Sequence, residues 1–134
     1  MAIHIVRLGS PRGPDEGLRL GTVRRPPRGV PKAEFATRDF YDVWQPQLSP
    51  SAELVAEALS AHDAKAWATF VRKFKAEMKQ PEASHLLDLL AALSHQTSFA
   101  LGCYCEVEAH CHRSVLRELL AARGAQIAES SHIS

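Results

Sequence analysis

The sequence predicts one α/β domain with a small, mainly parallel sheet of about three strands flanked by helices. Strand-like segments open the chain, helical periodicity fills its middle, and a last strand leads directly into a last helix. A return from strand to strand through helices usually gives parallel pairing with a right-handed crossover. A chain of 134 residues has the length of a single domain with its own core.

Three segments have the composition of strands. Residues 3–8 are rich in β-branched side chains, residues 18–24 alternate apolar and polar residues, and residues 98–104 precede a cysteine-rich loop. Glycine and proline follow the first two segments. These residues supply turns and do not continue a central strand, so they mark the ends of both predicted strands. Residues 32–47 are aromatic but irregular, and we expect a short helical turn or two there.

Four helices are predicted, and each has a start or stop signal. Ser49 is the expected N-cap of the first helix, with Pro50 at its first position. Asp63 is the expected cap of the second helix, and Pro81 opens the third. The fourth follows the cysteine-rich loop and ends before Gly124.

Composition indicates a soluble globular protein of a reducing compartment. Hydrophobic residues make up 46% and charged residues 23% of the chain, which is ordinary for this class. No apolar run approaches the roughly 20 residues that cross a bilayer. The start has no basic stretch leading into an apolar one, so we expect no secretory signal. The three cysteines are clustered, which favours a reducing, cytoplasmic location. We expect no membrane partner, because no apolar run is long enough.

The net charge of +1 conceals an uneven distribution. Residues 1–40 hold eight lysines and arginines against four acids, whereas the remaining chain holds eight against eleven. Seven of the eight N-terminal cations are arginine, which suits bidentate contact with phosphate or carboxylate. Both a solvated basic face and an anion-binding role explain this excess.

The most unusual segment lies between the last predicted strand and the last helix. Residues 103–113 hold all three cysteines, two histidines and an arginine. Cys103, Cys105, Cys111 and His110 together have the donor count of a structural zinc site. Their spacing lacks the two separated Cys-x-x-Cys pairs of common zinc modules. Small buried cysteines with no chemical role are the simplest alternative.

A reactive thiol is a third interpretation of this segment. Cys111 lies at the expected start of a helix, whose positive end lowers a thiol pKa, and His110, His112 and Arg113 add to that effect. Cys105 is the other candidate nucleophile. Counted from Cys105, the Cys-x5-Arg spacing of cysteine phosphatases places Cys111 where the arginine would stand, and on that count we expect no phosphatase chemistry.

The arginines suggest a further site at the strand ends. If the three strands are parallel, their carboxyl ends share one edge of the sheet, where open α/β sheets bind ligands. Cations and a helix N-terminus there would attract a phosphate or another anion. The residues predicted to line this cleft are Ser10, Arg12, Arg24, Arg25, Arg28, His112 and Arg113.

The order of several motifs resembles a known family, the YeaO-like uncharacterised bacterial proteins (domain-of-unknown-function family 488). The motifs are RGVPK at 28–32, an aromatic stretch with Trp44, LSPS at 48–51, Phe70 with Phe74 and Glu77, and GCYC at 102–105 followed by CHR at 111–113. The resemblance covers about residues 3–124, which we take as the domain, with residues 125–134 as a polar tail. It implies a compact α/β domain and no established activity, substrate or cofactor.

The resemblance bears on the choice between these interpretations. Family members vary at the position of Cys105 and some lack the cysteines, which favours the anion site over zinc. The leading hypothesis is therefore an α/β protein that binds a phosphate-bearing ligand, such as a nucleotide or nucleic acid. The alternatives are a thiol-dependent enzyme using Cys111 or Cys105 with His110 or His112, and a Cys/His zinc site. No cofactor is assigned, and neither enzymatic activity nor oligomeric state is predicted.

Overall fold

A computed structural model, which describes residues 1–129, contains one four-stranded sheet. Its strands are β1 (Ile3–Arg7), β2 (Leu18–Gly21), β3 (Val43–Trp44) and β4 (Phe99–Cys103). The order across the sheet is β1-β4-β2-β3, and every neighbouring pair is parallel. The predicted α/β class with a mainly parallel sheet is therefore confirmed.

Strand β3 is the element that the sequence pattern did not predict. It has only two residues, and Val43 and Trp44 pair with Leu20 and Gly21 of β2. Two residues are too few for an alternating pattern to be visible. The expected helical turns do occur on either side of β3, at Lys32–Glu34 and Pro46–Leu48.

Four helices cover the sheet: α1 (Ala52–Leu59), α2 (Ala64–Glu77), α3 (Pro81–Leu93) and α4 (His112–Ala122). The carboxylate of Asp63 caps α2 by accepting the N–H of Ala66 at 2.7 Å. Pro81 opens α3 as predicted, and Gly124, with φ of +80°, follows the end of α4.

The start of α1 differs from the prediction. Its N-cap is Ser51, whose Oγ accepts the N–H of Leu54 at 3.3 Å, and not Ser49. The carbonyl groups of Ser49 and Pro50 instead accept hydrogen bonds from Arg24. These two residues therefore anchor the preceding connection, and the helix begins after them.

Two groups of buried apolar residues form the core. The larger one lies between the helices and the sheet and includes Phe70, Phe74 and Leu116. The smaller one lies around the carboxyl ends of the strands. It consists of Leu8, Val23, Tyr41, Cys103 and Cys111, and we call it the edge cluster. Two of the three cysteines are thus interior residues.

Two glycines allow the edge cluster to pack directly on the sheet. Gly21 of β2 and Gly102 of β4 are cross-strand neighbours. A Cβ atom on Gly21 would lie 2.4 Å from the ring of Tyr41, and one on Gly102 would lie 2.4 Å from a methyl of Leu8. Both contacts are closer than van der Waals packing permits, so glycine is required for this approach.

A buried ion pair holds the loop after β1 against the loop before β3. The side chain of Arg19 is fully buried, and its guanidinium pairs with the carboxylate of Glu16. It also donates to the carbonyl groups of Ser10, Pro11 and Asp39. Arg19 is therefore a structural residue, although its position in an alternating strand would place it on a solvated face.

The chain after α4 returns to β1. The N–H of Ile3 donates to the carbonyl of Gln126 at 2.9 Å, and the N–H of Ala128 donates to the carbonyl of Ile3 at 2.8 Å. Residues 130–134 of the predicted tail lie outside the described residues. Within residues 1–129, none of the helices has the length and apolar character to span a membrane.

Candidate functional site

The carboxyl ends of β2 and β4 and the start of α4 meet at one edge of the sheet. Cys103 is the last residue of β4, and Thr22 directly follows β2. The N–H of Thr22 donates to the carbonyl of Gly102, which fixes the two strand ends beside each other. Cys111 is the N-cap of α4, so its side chain lies over this edge.

Three cysteine sulfurs come together at this edge without forming a disulfide. Cys103 Sγ lies 3.8 Å from Cys105 Sγ and within 4.8 Å of Cys111 Sγ. Cys103 and Cys111 are buried, whereas Cys105 is exposed. The cluster is therefore closed on the protein side and open to solvent only at Cys105.

The orientation of His112 is fixed by the residue that follows β2. Its Nε2 lies 2.7 Å from the carbonyl oxygen of Thr22 and 3.1 Å from Thr22 Oγ1. A carbonyl oxygen can only accept, so we assign the ring proton to Nε2. The unprotonated Nδ1 then faces Cys111 Sγ at 3.7 Å.

Arg113 is buried beside the cysteines and binds three groups. Its Nε donates to Cys111 Sγ at 3.4 Å, and its terminal nitrogens donate to the carbonyls of Val6 and Cys105 at 2.6 and 2.8 Å. Among residues 1–129 no carboxylate forms an ion pair with this guanidinium. Its guanidinium is therefore stabilised by two main-chain carbonyls and by the sulfur of Cys111.

The pKa values of Cys111 and Cys103 are shifted in opposite directions. Interactions with Cys103 and Cys105 lower the pKa of Cys111, burial opposes this effect, and the neighbouring His112 lowers the pKa further. The hydrogen bonds that Cys103 makes to Cys105 and Cys111 raise the pKa of Cys103, and burial adds to this. The pKa of Cys111 is therefore lower than that of Cys103.

The donor atoms of Cys103, Cys111 and His112 all lie within 4.8 Å of one another. His110, which the sequence analysis placed in the zinc set, lies elsewhere, since its ring packs edge-on against Trp67 at 6.0 Å. The structure therefore places His112, and not His110, beside the sulfurs of Cys103 and Cys111.

The arginines predicted to line an anion cleft have different partners in the structure. Arg12 binds the carboxylates of Asp39 and Asp42, with its Nη1 2.8 Å from Asp42. The carbonyl of Ser10, another predicted cleft residue, accepts a hydrogen bond from Arg19. Neither Arg12 nor Ser10 presents a free donor set to a ligand.

The second group of predicted cations follows β2. The guanidinium of Arg24 donates hydrogen bonds to the carbonyls of Ser49 and Pro50, at 3.1 Å each. Arg25 and Arg28 are exposed, and within residues 1–129 they make no ion pair. These two side chains are the predicted cleft residues whose charge is available to a ligand.

Two residues of the site had no sequence signal. Thr22 orients His112, and a threonine at a strand end is too common to indicate such a role. The hydroxyl of Tyr41 is buried in the edge cluster. It has no hydrogen-bond partner among the described residues. Burial raises the pKa of Tyr41, so the group is a neutral phenol.

The protein is thus an α/β protein with a parallel sheet and a cluster of cysteine and histidine side chains at the carboxyl edge of that sheet. The chain belongs to the DUF488-N3a family, described as the active DUF488-N3 subclade, whose profile matches residues 3–124. The predicted relationship to domain-of-unknown-function family 488, the YeaO-like proteins, is thereby confirmed. Comparisons with curated proteins and with solved structures gave no significant match.

Proposed function

We propose that the protein binds a thiophilic divalent metal ion, with Zn²⁺ as the first candidate. The ligands are the sulfurs of Cys103, Cys105 and Cys111 and Nδ1 of His112. Zinc takes four such ligands in a tetrahedron, with Zn–S bonds of about 2.3 Å and Zn–N bonds of about 2.0–2.1 Å.

The spacing of the donor atoms carries this proposal. Such a tetrahedron has S–S edges of about 3.8 Å and S–N edges of about 3.6 Å, from the bond lengths above. The Cys103–Cys105 sulfur distance is 3.8 Å, and Cys111 Sγ lies 3.7 Å from His112 Nδ1. These two distances match edges of a metal site, and the donor atoms of Cys103, Cys111 and His112 lie within 4.8 Å of one another.

The surroundings of His112 support the same conclusion. A metal-ligating histidine almost always donates its other ring N–H to a carbonyl, a carboxylate or water, which fixes the ring. Thr22 supplies that carbonyl, and the Thr22 hydroxyl donates onward to Gly102, so the support is part of the sheet. The free nitrogen is thereby held toward the sulfurs.

Arg113 makes the loaded site electrically neutral. A divalent ion, three thiolates and one guanidinium carry no net charge together, which lowers the cost of placing them in a buried position. The Nε–H of Arg113 also donates to Cys111 Sγ, which suits a sulfur that carries negative charge.

A metal-free thiol enzyme is the competing hypothesis. Its nucleophile would be Cys111, but this residue is only 2% exposed, and a substrate in solution could not reach its sulfur. Cys105 is accessible, but Arg113 binds only its main-chain carbonyl and not its sulfur. Burial thus favours a ligand role for Cys111. The family is described as an active subclade, which is compatible with a functional metal site.

Metal analysis of untagged protein purified without chelators tests the proposal. We expect about one zinc per chain by elemental analysis and slow reaction of the three thiols with a disulfide reagent. Removing the metal should make the thiols reactive, and adding Zn²⁺ should protect them again. Protein that contains no metal and gains no protection from added Zn²⁺, Co²⁺ or Cd²⁺ would contradict the proposal and favour the thiol enzyme.

A further inference from the structure

We infer that Cys105 is an exchangeable ligand of this centre and that the position it vacates binds an oxygen of an anionic ligand such as a phosphate group. This inference rests on the proposed metal site. It assigns the centre a ligand from solution, where a purely structural zinc site would keep all four protein ligands.

The four donors are held to very different degrees. Cys103, Cys111 and His112 are 7%, 2% and 7% exposed, and each lies on a strand end or a helix start. Cys105 is exposed and lies in the loop between β4 and α4. Catalytic zinc sites have three protein ligands and a fourth position open to water or substrate, and the three buried donors with a solvent-exposed fourth donor resemble this arrangement.

The hydroxyl of Tyr41 indicates what the ligand contains. Tyr41 is 4% exposed, and its hydroxyl has no hydrogen-bond partner among the described residues. It belongs to the same edge cluster as Cys103 and Cys111. A buried phenol without a partner is costly unless something binds it, and an anionic oxygen would accept a hydrogen bond from it.

The charge of the neighbouring loop indicates an anion. Arg25 and Arg28 are exposed and unpaired within residues 1–129, as described above. The hydroxyl of Tyr104, the residue before Cys105, donates to the carbonyl of Arg25 at 2.9 Å, so the arginine loop is attached to the loop that carries the exchangeable ligand. Exposed guanidinium groups there would attract phosphate oxygens.

The exchange step conserves atoms and charge with groups already present. The bond between the metal and Cys105 Sγ breaks, and a bond from a ligand oxygen to the metal forms. The released sulfur takes one proton from water, the hydroxide so formed passes into bulk solvent, and no electron is transferred.

The test uses the Co²⁺-substituted full-length protein, whose visible spectrum reports the number of sulfur ligands. Titration with inorganic phosphate should reduce the sulfur-to-metal absorption, and Tyr41→Phe should weaken phosphate binding about tenfold, the loss of one hydrogen bond to a charged acceptor. Arg25→Ala with Arg28→Ala should weaken it by a similar factor and reduce its salt dependence. Imidazole, a neutral ligand for the same position, should bind all these variants equally.

Two controls separate this inference from the proposed metal site. Cys105→Ala should still bind Co²⁺ with one sulfur fewer, and Arg72→Ala, an exposed cation on α2, should bind phosphate like the wild type. If no variant and no wild-type protein binds Co²⁺, the metal site itself is wrong. If the metal binds but phosphate leaves its spectrum unchanged, or if Tyr41→Phe binds phosphate as the wild type does, only the exchangeable position is wrong.

Discussion

Replacing Cys111 with serine is expected to lower the affinity for Zn²⁺ by about two orders of magnitude or more, because a hydroxyl is a poor substitute for a thiolate ligand. Cys111 is the most buried of the four donors and the one that both His112 and Arg113 contact. A competition titration with a chromophoric chelator measures the change. Circular dichroism and denaturant unfolding of the metal-free variant show whether the fold is retained.

His110→Ala is the matched control for this substitution. His110 is the neighbouring residue in sequence, but its ring packs against Trp67 and not against the sulfurs. The variant should bind Zn²⁺ within about threefold of the wild type. Strong loss of Zn²⁺ in His110→Ala together with normal binding in Cys111→Ser would show that the four proposed ligands are wrong.

Replacing Arg19 with methionine is expected to lower the free energy of unfolding by about 3–5 kcal/mol, the cost of leaving one partner of a buried ion pair alone. Glu16 would then be buried without its counter-charge, and the carbonyls of Ser10 and Asp39 would each lose a donor. Urea unfolding measures the change. The double variant Arg19→Met, Glu16→Met should be more stable than Arg19→Met alone.

Arg38→Met controls for the loss of an arginine in general, since the Arg38–Glu34 pair is half exposed and should contribute less than about 1 kcal/mol.

The buried Arg19–Glu16 pair also predicts a pH dependence of stability. Burial alone would raise the pKa of Glu16, but hydrogen bonds from Arg19 and Gly13 hold it below its ordinary value. Stability from this pair is therefore complete above the unfolded pKa and is lost as the pH falls below about 4.5. Equal acid sensitivity of wild type and Glu16→Gln would contradict this account.

The fold was predictable wherever a local pattern determined it. Strands β1, β2 and β4 had recognisable composition and clear ends, and the helical connection between β2 and β4 implied parallel pairing. Strand β3 was not predictable, because its two residues pair with β2 only through the tertiary structure. The start of α1 was misplaced because two serines flank Pro50 and both could cap a helix.

The place of the candidate site was predictable, but its chemistry was only partly so. The clustering of Cys103, Cys105 and Cys111 beside a helix start was visible in the sequence. The choice of His112 over His110 depends on the direction of a ring that Thr22, the residue after β2, orients. Such a contact joins residues 90 positions apart, and no local pattern contains it.

The arginine pattern was the least informative signal. Seven arginines near the N-terminus suggested one cleft, but the structure uses them for different purposes. Arg12 binds two aspartates, Arg19 is buried, and Arg24 binds main-chain carbonyls. Sequence shows where a guanidinium occurs along the chain, whereas its use depends on which acceptors the fold places beside it.

X-ray absorption spectroscopy at the zinc edge, on protein loaded with one Zn²⁺ in phosphate-free buffer, tests the proposed centre most directly. The account predicts three sulfurs at about 2.3 Å and one nitrogen at about 2.0–2.1 Å from the metal. A shell made only of nitrogen and oxygen would contradict it, because the metal would then not be bound by the three cysteines at the carboxyl edge of the sheet.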